Sequence, residues 1–118
     1  MIYTSYFGNM RNIPSDIIPI AITRFPPKWY EGATLKDIAP PIHLLNHYKE
    51  HYDKEYYIDV FKREVLSNLS QKDIVYKIQK SFGAKDVVLL CYEKKGDFCH
   101  RHLVSQWLRD GGFRCEEY

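Results

Sequence analysis

The sequence predicts a three-layer α/β domain in which helices on both faces cover a small, mainly parallel sheet, as in Rossmann-like folds. Short runs rich in β-branched residues alternate with segments whose apolar residues recur at helical spacing. The clearest strand, Val87 to Leu90, is apolar without interruption, which is typical of a strand buried on both faces. A chain of 118 residues, 45% hydrophobic and 27% charged, fits one domain over residues 1–118.

Two predicted strands open the chain. Residues 2–7 are rich in Tyr, Thr and Ile, and the turn signal Gly8-Asn9 follows them. Residues 17–23 form the second strand, with isoleucines at alternate positions on one face. Because proline cannot donate to a sheet ladder, Pro19 indicates that regular pairing starts after it or that the strand begins at an edge. Arg24 then lies where this strand ends.

The apolar residues of residues 28–41 show no periodic spacing, which predicts a long loop. Trp29 and Tyr30 would allow this loop to pack as a lid. Residues 42–51 are predicted to be helical, and histidines recur there at every fourth position. These histidines are His43, His47 and His51. Two histidines at this spacing can share a zinc ion, but the familiar catalytic helix has a Glu where this chain has Leu44. An exposed polar stripe is therefore the favoured interpretation.

Two amphipathic helices are predicted to follow. Apolar residues recur at helical spacing across residues 55–69, and again between the N-cap Ser70 and the stop signal Gly83. The lysines of the second of these helices lie off its apolar stripe, so they favour a solvated face over a nucleic-acid surface. The formal net charge of +2 also disfavours a nucleic-acid tract.

A strand–loop–helix unit is predicted to begin with the apolar run. The chain leaves the sheet at a charged stretch that ends in Gly96, and Asp97 is a good N-cap for the next helix. That helix carries apolar residues at helical spacing up to Gly111-Gly112. Residues 113–117 predict a terminal strand, in which Cys115 contributes buried packing.

The composition bears on compartment and partners. Three cysteines, an odd number, and a start without a basic leader and apolar signal region predict a reducing compartment, hence a cytoplasmic location. No apolar run approaches the roughly 18 to 20 residues that span a bilayer, so no membrane association is expected. Ten tyrosines and two tryptophans suit the margin of a core, a pocket wall or a base-stacking surface, and the first use is favoured. Neither a cofactor nor a resident metal is predicted.

Arg101 is predicted to lie where a cation is unfavourable, in the first turn of a helix beside Cys99 and His100. The unpaired N–H groups and the helix dipole attract an anion there, and a cation costs about 0.3 to 1 kcal/mol. Arg101 therefore needs a compensating anion, which is either a ligand phosphate or carboxylate, or a nearby Asp or Glu.

The run Leu90-Cys91-Tyr92-Glu93-Lys94, followed by Cys99-His100-Arg101 and an apolar helix, resembles the C-terminal signature of a bacterial, archaeal and phage family, domain of unknown function 488. The opening strand with its small-residue turn, and Arg24-Phe25-Pro26, resemble family features more loosely. Ile22-Thr23 stands where an acidic residue is expected before the arginine. The resemblance implies an α/β fold and no established reaction. It nominates as site residues Arg24, Cys91, Glu93, Cys99, His100 and Arg101.

These patterns favour a pocket for a small anionic, nucleotide-derived ligand at the carboxyl ends of the strands. Arg24 and Arg101 would hold phosphate oxygens bidentately, the helix N-terminus would add N–H donors, and tyrosines would face a base or sugar. In a hydrolysis or group transfer, Glu93 or His100 would act as general acid or base and Cys99 as nucleophile. The predicted ligand-binding residues are Tyr6, Gly8, Asn9, Arg24, Cys91, Tyr92 and Arg101; the predicted catalytic residues are Glu93, Cys99 and His100.

Three alternatives differ in class. A Cys-dependent phosphatase needs an arginine six positions after its cysteine, and neither Cys91 nor Cys99 has one there. A metal site would draw on Cys91, Cys99, His100 or His102, but a structural zinc site needs two ligand clusters and this chain shows one. A phage-type accessory or nucleic-acid interaction protein would use the aromatic residues of the long loop as anchors. A homodimer that completes the site also stays open.

Overall fold

A computed structural model describes residues 1–93 and 98–118 and shows a five-stranded, all-parallel sheet with helices packed on it. The strands are β1 (Ile2–Tyr6), β2 (Ile18–Ala21), β3 (Ala33–Thr34), β4 (Val87–Cys91) and β5 (Cys115–Glu117). The α-helices are α1 (Ile42–His51), α2 (Lys54–Glu64), α3 (Gln71–Phe82) and α4 (His100–Asp110). Short 3₁₀ helices cover Phe7–Asn12, Lys36–Ile38 and Leu66–Asn68. The predicted α/β class is confirmed.

The strand order β3-β2-β4-β1-β5 puts the apolar strand β4 at the centre of the sheet. All five of its residues are buried, which explains why its sequence shows no alternation of apolar and polar residues. Tyr6 pairs with Cys91 and Ala21 with Leu90, so the carboxyl ends of β1, β2 and β4 lie side by side. Ligands of parallel sheets bind at this edge.

Pro19 lies inside β2 at a point where the strand has a partner on one side only. It pairs with Val88 of β4, whereas β3 joins β2 only from Ile20 onward. The Pro19 carbonyl oxygen lies 3.2 Å from the Tyr30 hydroxyl oxygen, whose single proton is donated to the closer Ala33 carbonyl at 2.6 Å. Because the strand is locally an edge, the missing proline N–H costs no ladder bond.

The two faces of the sheet are covered unequally. A large apolar cluster fills one face, and every residue that the four α-helices contribute to the core lies in it. A smaller cluster on the other face centres on Phe7, Ala21, Val88 and Leu90, with Met10 and Tyr30 packed against it. The 3₁₀ helix Phe7–Asn12 therefore supplies the helical cover of the second face.

The helix ends follow their local sequence signals. The Ser70 hydroxyl accepts from the Asp73 N–H at 3.4 Å, and α3 ends at Gly83, whose φ of 71° favours glycine. The region predicted as one helix over residues 55–69 divides, because α2 ends at Glu64 and a 3₁₀ turn follows it. The predicted cap Asp97 and the predicted turn residue Gly96 lie outside the described residues.

Candidate functional site

A cavity of about 330 Å³ opens beside the carboxyl ends of β2 and β4. Four parts of the chain form its wall: the residues that follow β2, the inner side of α1, Tyr57 of α2, and the connection between β4 and α4. The central position of β4 explains this arrangement, since both chain segments that leave β2 and β4 emerge at the same edge.

Two basic side chains line the cavity. Arg24 donates from Nε to the Pro40 carbonyl at 3.2 Å, and Lys49 projects from α1. Among residues 1–93 and 98–118, neither side chain takes part in an ion pair. The terminal nitrogens of Arg24 and the Lys49 ammonium therefore remain available for an anion.

Thr23 adds a buried polar group to the same wall. The residue is only 6% exposed and lines the cavity, and its Oγ1 has no hydrogen-bond partner within the described part of the chain. A buried hydroxyl left unpaired costs about 1 to 3 kcal/mol. A ligand oxygen or nitrogen in the cavity would remove that cost.

Aromatic rings form the apolar side of the cavity. The Phe98 ring lies 5.6 Å from the Tyr48 ring and 5.2 Å from the Tyr57 ring, the latter in an edge-to-face contact. Burial and the nearby Glu93 carboxylate raise the pKa of Tyr57, so its phenol stays neutral. At the rim, the Tyr92 hydroxyl donates to the Phe25 carbonyl. These rings offer a stacking surface beside the two cations.

His100 lies at the start of α4 with only 5% of its surface exposed. Its Nε2 donates to the Ile22 carbonyl at 2.7 Å, which leaves Nδ1 as an acceptor 3.8 Å from the Cys99 sulfur. Burial, together with the Arg101 charge, lowers the pKa of His100 to about 4. The imidazole is therefore neutral at neutral pH and can accept a proton or a metal ion there, but has no spare proton to donate.

Cys91 and Cys99 are joined by a disulfide, whereas Cys115 is a free, buried thiol. The sequence predicted a reducing compartment, and this disulfide was not among the predictions. In the disulfide form Cys99 has no thiolate, so its predicted nucleophilic role applies only to the reduced protein.

Arg101 is fully buried, and its guanidinium is bound on several sides. Its Nε donates to both Glu117 carboxylate oxygens at 3.1 Å, and Nη2 donates to Oε2 at 2.9 Å. Its Nη1 reaches the Cys91 sulfur at 3.0 Å and the Glu93 carbonyl. Of the two kinds of anion that the sequence left open, the fold supplies a carboxylate, that of Glu117.

The predicted site residues fall into two groups. Those that line the cavity are Arg24, Tyr92, Glu93, Cys99 and His100. Those that lie outside its wall are Tyr6, Gly8, Asn9, Cys91 and Arg101. The Tyr6 ring packs 5.7 Å from the Arg101 guanidinium, and Asn9 donates to the Ser5 hydroxyl at 3.1 Å. The end of β1 therefore supports the Arg101 region and does not reach the cavity.

Sequence reasoning missed the cavity residues Thr23, Tyr48, Lys49, Tyr57 and Phe98. Of the residues in α1, only the histidines stood out in the sequence, and they do not line the cavity. His43 pairs with Glu64 at 3.0 Å, and the His47 ring stacks on the Tyr56 ring at 3.9 Å. The sequence did carry a signal for Tyr48 and Lys49. They follow Leu44, the single buried residue of α1, by four and five positions, so they lie on or next to the buried face of that helix.

Comparison with known proteins identifies the family. The model of the family described as the active DUF488-N3 subclade (DUF488-N3a) matches residues 2–112. The match confirms the resemblance seen around Cys91 and Arg101, and it extends over residues 29–71, which carry α1. No curated protein and no solved structure matches the chain.

Proposed function

The chain belongs to the active DUF488-N3 subclade, and on that premise we propose that it binds a small anionic, nucleotide-derived ligand in the cavity beside β2 and β4. One observation carries the proposal. Within residues 1–93 and 98–118, the cavity combines two cations that form no ion pair and the buried Thr23 hydroxyl, which has no hydrogen-bond partner, with a wall of aromatic rings.

The phosphate group of the ligand contacts the basic side of the cavity. Arg24 offers its two terminal nitrogens for a bidentate contact, and Lys49 adds a point charge. The Thr23 hydroxyl donates to a phosphate or sugar oxygen and so gains the partner that it lacks. The cavity of about 330 Å³ is at the small end of the range of about 300 to 1,000 Å³ for ligand sites, which favours a mononucleotide-sized ligand.

The base or sugar ring of the ligand packs on the aromatic side. Tyr48, Tyr57 and Phe98 surround one part of the cavity, and Tyr92 lies half-exposed at its rim. Stacking on such rings contributes about 1 to 3 kcal/mol per base. The aromatic wall therefore favours a nucleotide over inorganic phosphate.

A hydrolytic or group-transfer reaction fits the description of the subclade as active. Glu93 is the exposed carboxylate of the cavity wall, and we assign it the role of general acid or base. Neutral His100 holds the wall in place through the Ile22 carbonyl. Arg101, saturated by Glu117 and the Glu93 carbonyl, positions the loop that carries Glu93 and does not contact the ligand.

The remaining parts of the proposal concern location and partners. A cytoplasmic protein would carry Cys91 and Cys99 as a dithiol for much of its life, since cytosolic disulfides are rare. The small ligand is the favoured partner over nucleic acid, because Arg24 and Lys49 converge on one cavity and the formal net charge of the chain is only +2. A homodimer is compatible with the proposal but is not needed for it, since one chain supplies every residue named above.

Ligand binding by the wild type and by Arg24→Gln tests the proposal. We expect AMP to raise the Tm of the wild type more than adenosine does, because only AMP carries the phosphate. We expect Arg24→Gln to weaken AMP binding about tenfold or more, since a charge-assisted hydrogen bond contributes about 1.5 to 3 kcal/mol.

Arg63→Gln is the matched control, because Arg63 is exposed on α2 and pairs with Asp59 away from the cavity. Equal AMP affinity in the Arg24 and Arg63 variants would contradict the assignment of the phosphate contact. Failure of every tested nucleotide and NAD-derived anion to raise the wild-type Tm would overturn the proposed function.

A further inference from the structure

Cys91, Cys99 and His100 bring three potential metal ligands together. Their two sulfur atoms and one imidazole nitrogen lie within 4.8 Å of one another, and all three residues are buried. Cys91 is the last residue of β4, while Cys99 and His100 begin α4. The fold therefore closes a cluster from two elements that leave the same edge of the sheet.

His100 is oriented as a metal-binding histidine is oriented in other proteins. Such a histidine donates its second ring N–H to a carbonyl or carboxylate, which fixes the tautomer and the ring plane. Here Nε2 donates to the Ile22 carbonyl at 2.7 Å, so the lone pair of Nδ1 points to the side of the Cys99 sulfur. This hydrogen bond supplies the outer-shell support of a ligand whether or not a metal ion is bound.

Arg101 provides the charge that buried thiolates need. Its Nη1 lies 3.0 Å from the Cys91 sulfur, and the same guanidinium is held by Glu117. In the zinc-bound form this cation would lie beside the negative charge of the Cys91 thiolate ligand. The reduced cluster would offer two cysteine sulfurs and one imidazole nitrogen, a ligand set that favours Zn²⁺ when the ion displaces the thiol protons.

We propose that the reduced protein binds one zinc ion through Cys91, Cys99 and His100, and that the Cys91–Cys99 disulfide is the oxidised, metal-free state of the same site. A dithiol reductant transfers two electrons and two protons to the disulfide and becomes a disulfide itself. Zinc binding then releases both thiol protons and leaves two Zn–S bonds and one Zn–N bond. Thiol–disulfide exchange with an oxidised dithiol reverses the process: that disulfide takes up the two electrons together with two protons from solvent, the Cys91–Cys99 bond forms, and the zinc ion leaves.

The zinc ion would have an open fourth position. Three protein ligands with one water are the pattern of catalytic zinc sites, whereas structural sites have four protein ligands. Cys99 and His100 both line the cavity, so a zinc-bound water would face the space where Glu93 also lies. The inference goes beyond the proposed nucleotide site and stands without it, because the three ligands are separate from Arg24 and Lys49.

Zinc binding by the two redox forms tests the proposal directly. The purified full chain is either kept oxidised or reduced with a dithiol and desalted without oxygen, and each form is dialysed against Zn²⁺ and analysed for metal. We expect one zinc ion per reduced chain and none per oxidised chain. Co²⁺ in place of zinc should give a thiolate charge-transfer band in the reduced form only.

Cysteine variants identify the ligands. Cys99→Ser should abolish stoichiometric zinc binding and the cobalt band, whereas Cys115→Ser should leave both unchanged, because Cys115 is a buried cysteine outside the cluster. Absence of zinc from the reduced wild type would overturn the proposal without reference to any variant. Equal zinc binding by both redox forms, or by Cys99→Ser, would overturn it as well.

Discussion

Arg101 carries a charge that is fully buried and held by a carboxylate that is itself only 23% exposed. Glu117 also accepts from the Thr4 hydroxyl at 2.7 Å, so it joins α4, β1 and β5 at one point. A buried pair of this kind contributes little net stability, but loss of one partner leaves an uncompensated charge.

Glu117→Gln is therefore expected to destabilise the fold by about 3 kcal/mol, at the low end of the values for a broken buried pair because Glu117 keeps some solvent contact. Urea unfolding monitored by circular dichroism measures the loss. Glu116→Gln is the matched control, since Glu116 is exposed and pairs with exposed Arg114, and we expect a change within about 0.5 kcal/mol. Similar small losses in both variants would show that Arg101 does not depend on Glu117.

At the residue scale, the sequence identified Arg101 as a cation in need of an anion but did not identify the anion. A signal was present in the terminal strand. Cys115 and Glu117 are two positions apart, so in a strand they face the same side, and a buried Cys115 directs Glu117 inward. What sequence alone lacks is the pairing of β5 with β1, which brings Glu117 to Arg101.

The segment between β2 and β3 is fixed by one tyrosine. The Tyr30 hydroxyl donates to the Ala33 carbonyl at 2.6 Å, and its ring packs on Phe7 at 5.3 Å. The sequence predicted that Trp29 and Tyr30 would pack as a lid. Tyr30 instead belongs to the minor core on the second face of the sheet, while Trp29 remains 61% exposed.

Burial raises the pKa of Tyr30 to about 12 from an ordinary value of 10.0. A raised pKa means that folding favours the neutral phenol, so this stabilisation is complete below pH 10 and is lost as the pH rises towards 12. We expect Tyr30→Phe to be less stable than the wild type by about 1 kcal/mol at neutral pH, with a difference that shrinks above pH ~10.

Urea unfolding at a series of pH values measures this difference. Tyr76→Phe is the control, because Tyr76 is 64% exposed on α3 and its replacement should not change the pH profile. A Tyr30→Phe variant as stable as the wild type at neutral pH would show that the hydroxyl does not hold the segment.

At the scale of elements, periodicity and end signals predicted most of the helices and strands. The apolar stripe between Ser70 and Gly83 gave α3 with its correct ends, and the run at Val87 gave β4. The prediction of one helix over residues 55–69 was too long, because its apolar spacing continues through the 3₁₀ turn after Glu64. The second face of the sheet is covered by Phe7 and Tyr30. Their packing is tertiary and leaves no periodic pattern in the sequence, so it could not be predicted.

At the scale of the whole molecule, the parallel sheet determined where a cavity would form but not which residues would face it. The rule that ligands bind at the carboxyl ends of strands correctly united Arg24 with Glu93 and His100. It also included the end of β1, which the order β3-β2-β4-β1-β5 places on the far side of β4 from β2. The contribution of α1 to the cavity wall was not predicted. The spacing of apolar residues shows which face of a helix is buried, but it does not show where the helix packs on the sheet. No helix in the described part of the chain has the length and apolar character to span a membrane.

The proposed function requires that one anionic ligand occupies the cavity between β2, α1 and the start of α4. Amide chemical shifts of the ¹⁵N-labelled protein during titration with AMP test it most directly. We predict that the largest shifts occur at Thr23, Arg24, Lys49 and His100, with Gly8 and Asn9 unaffected. Shifts centred on Gly8 and Asn9, or no shifts at saturating AMP, would contradict the account.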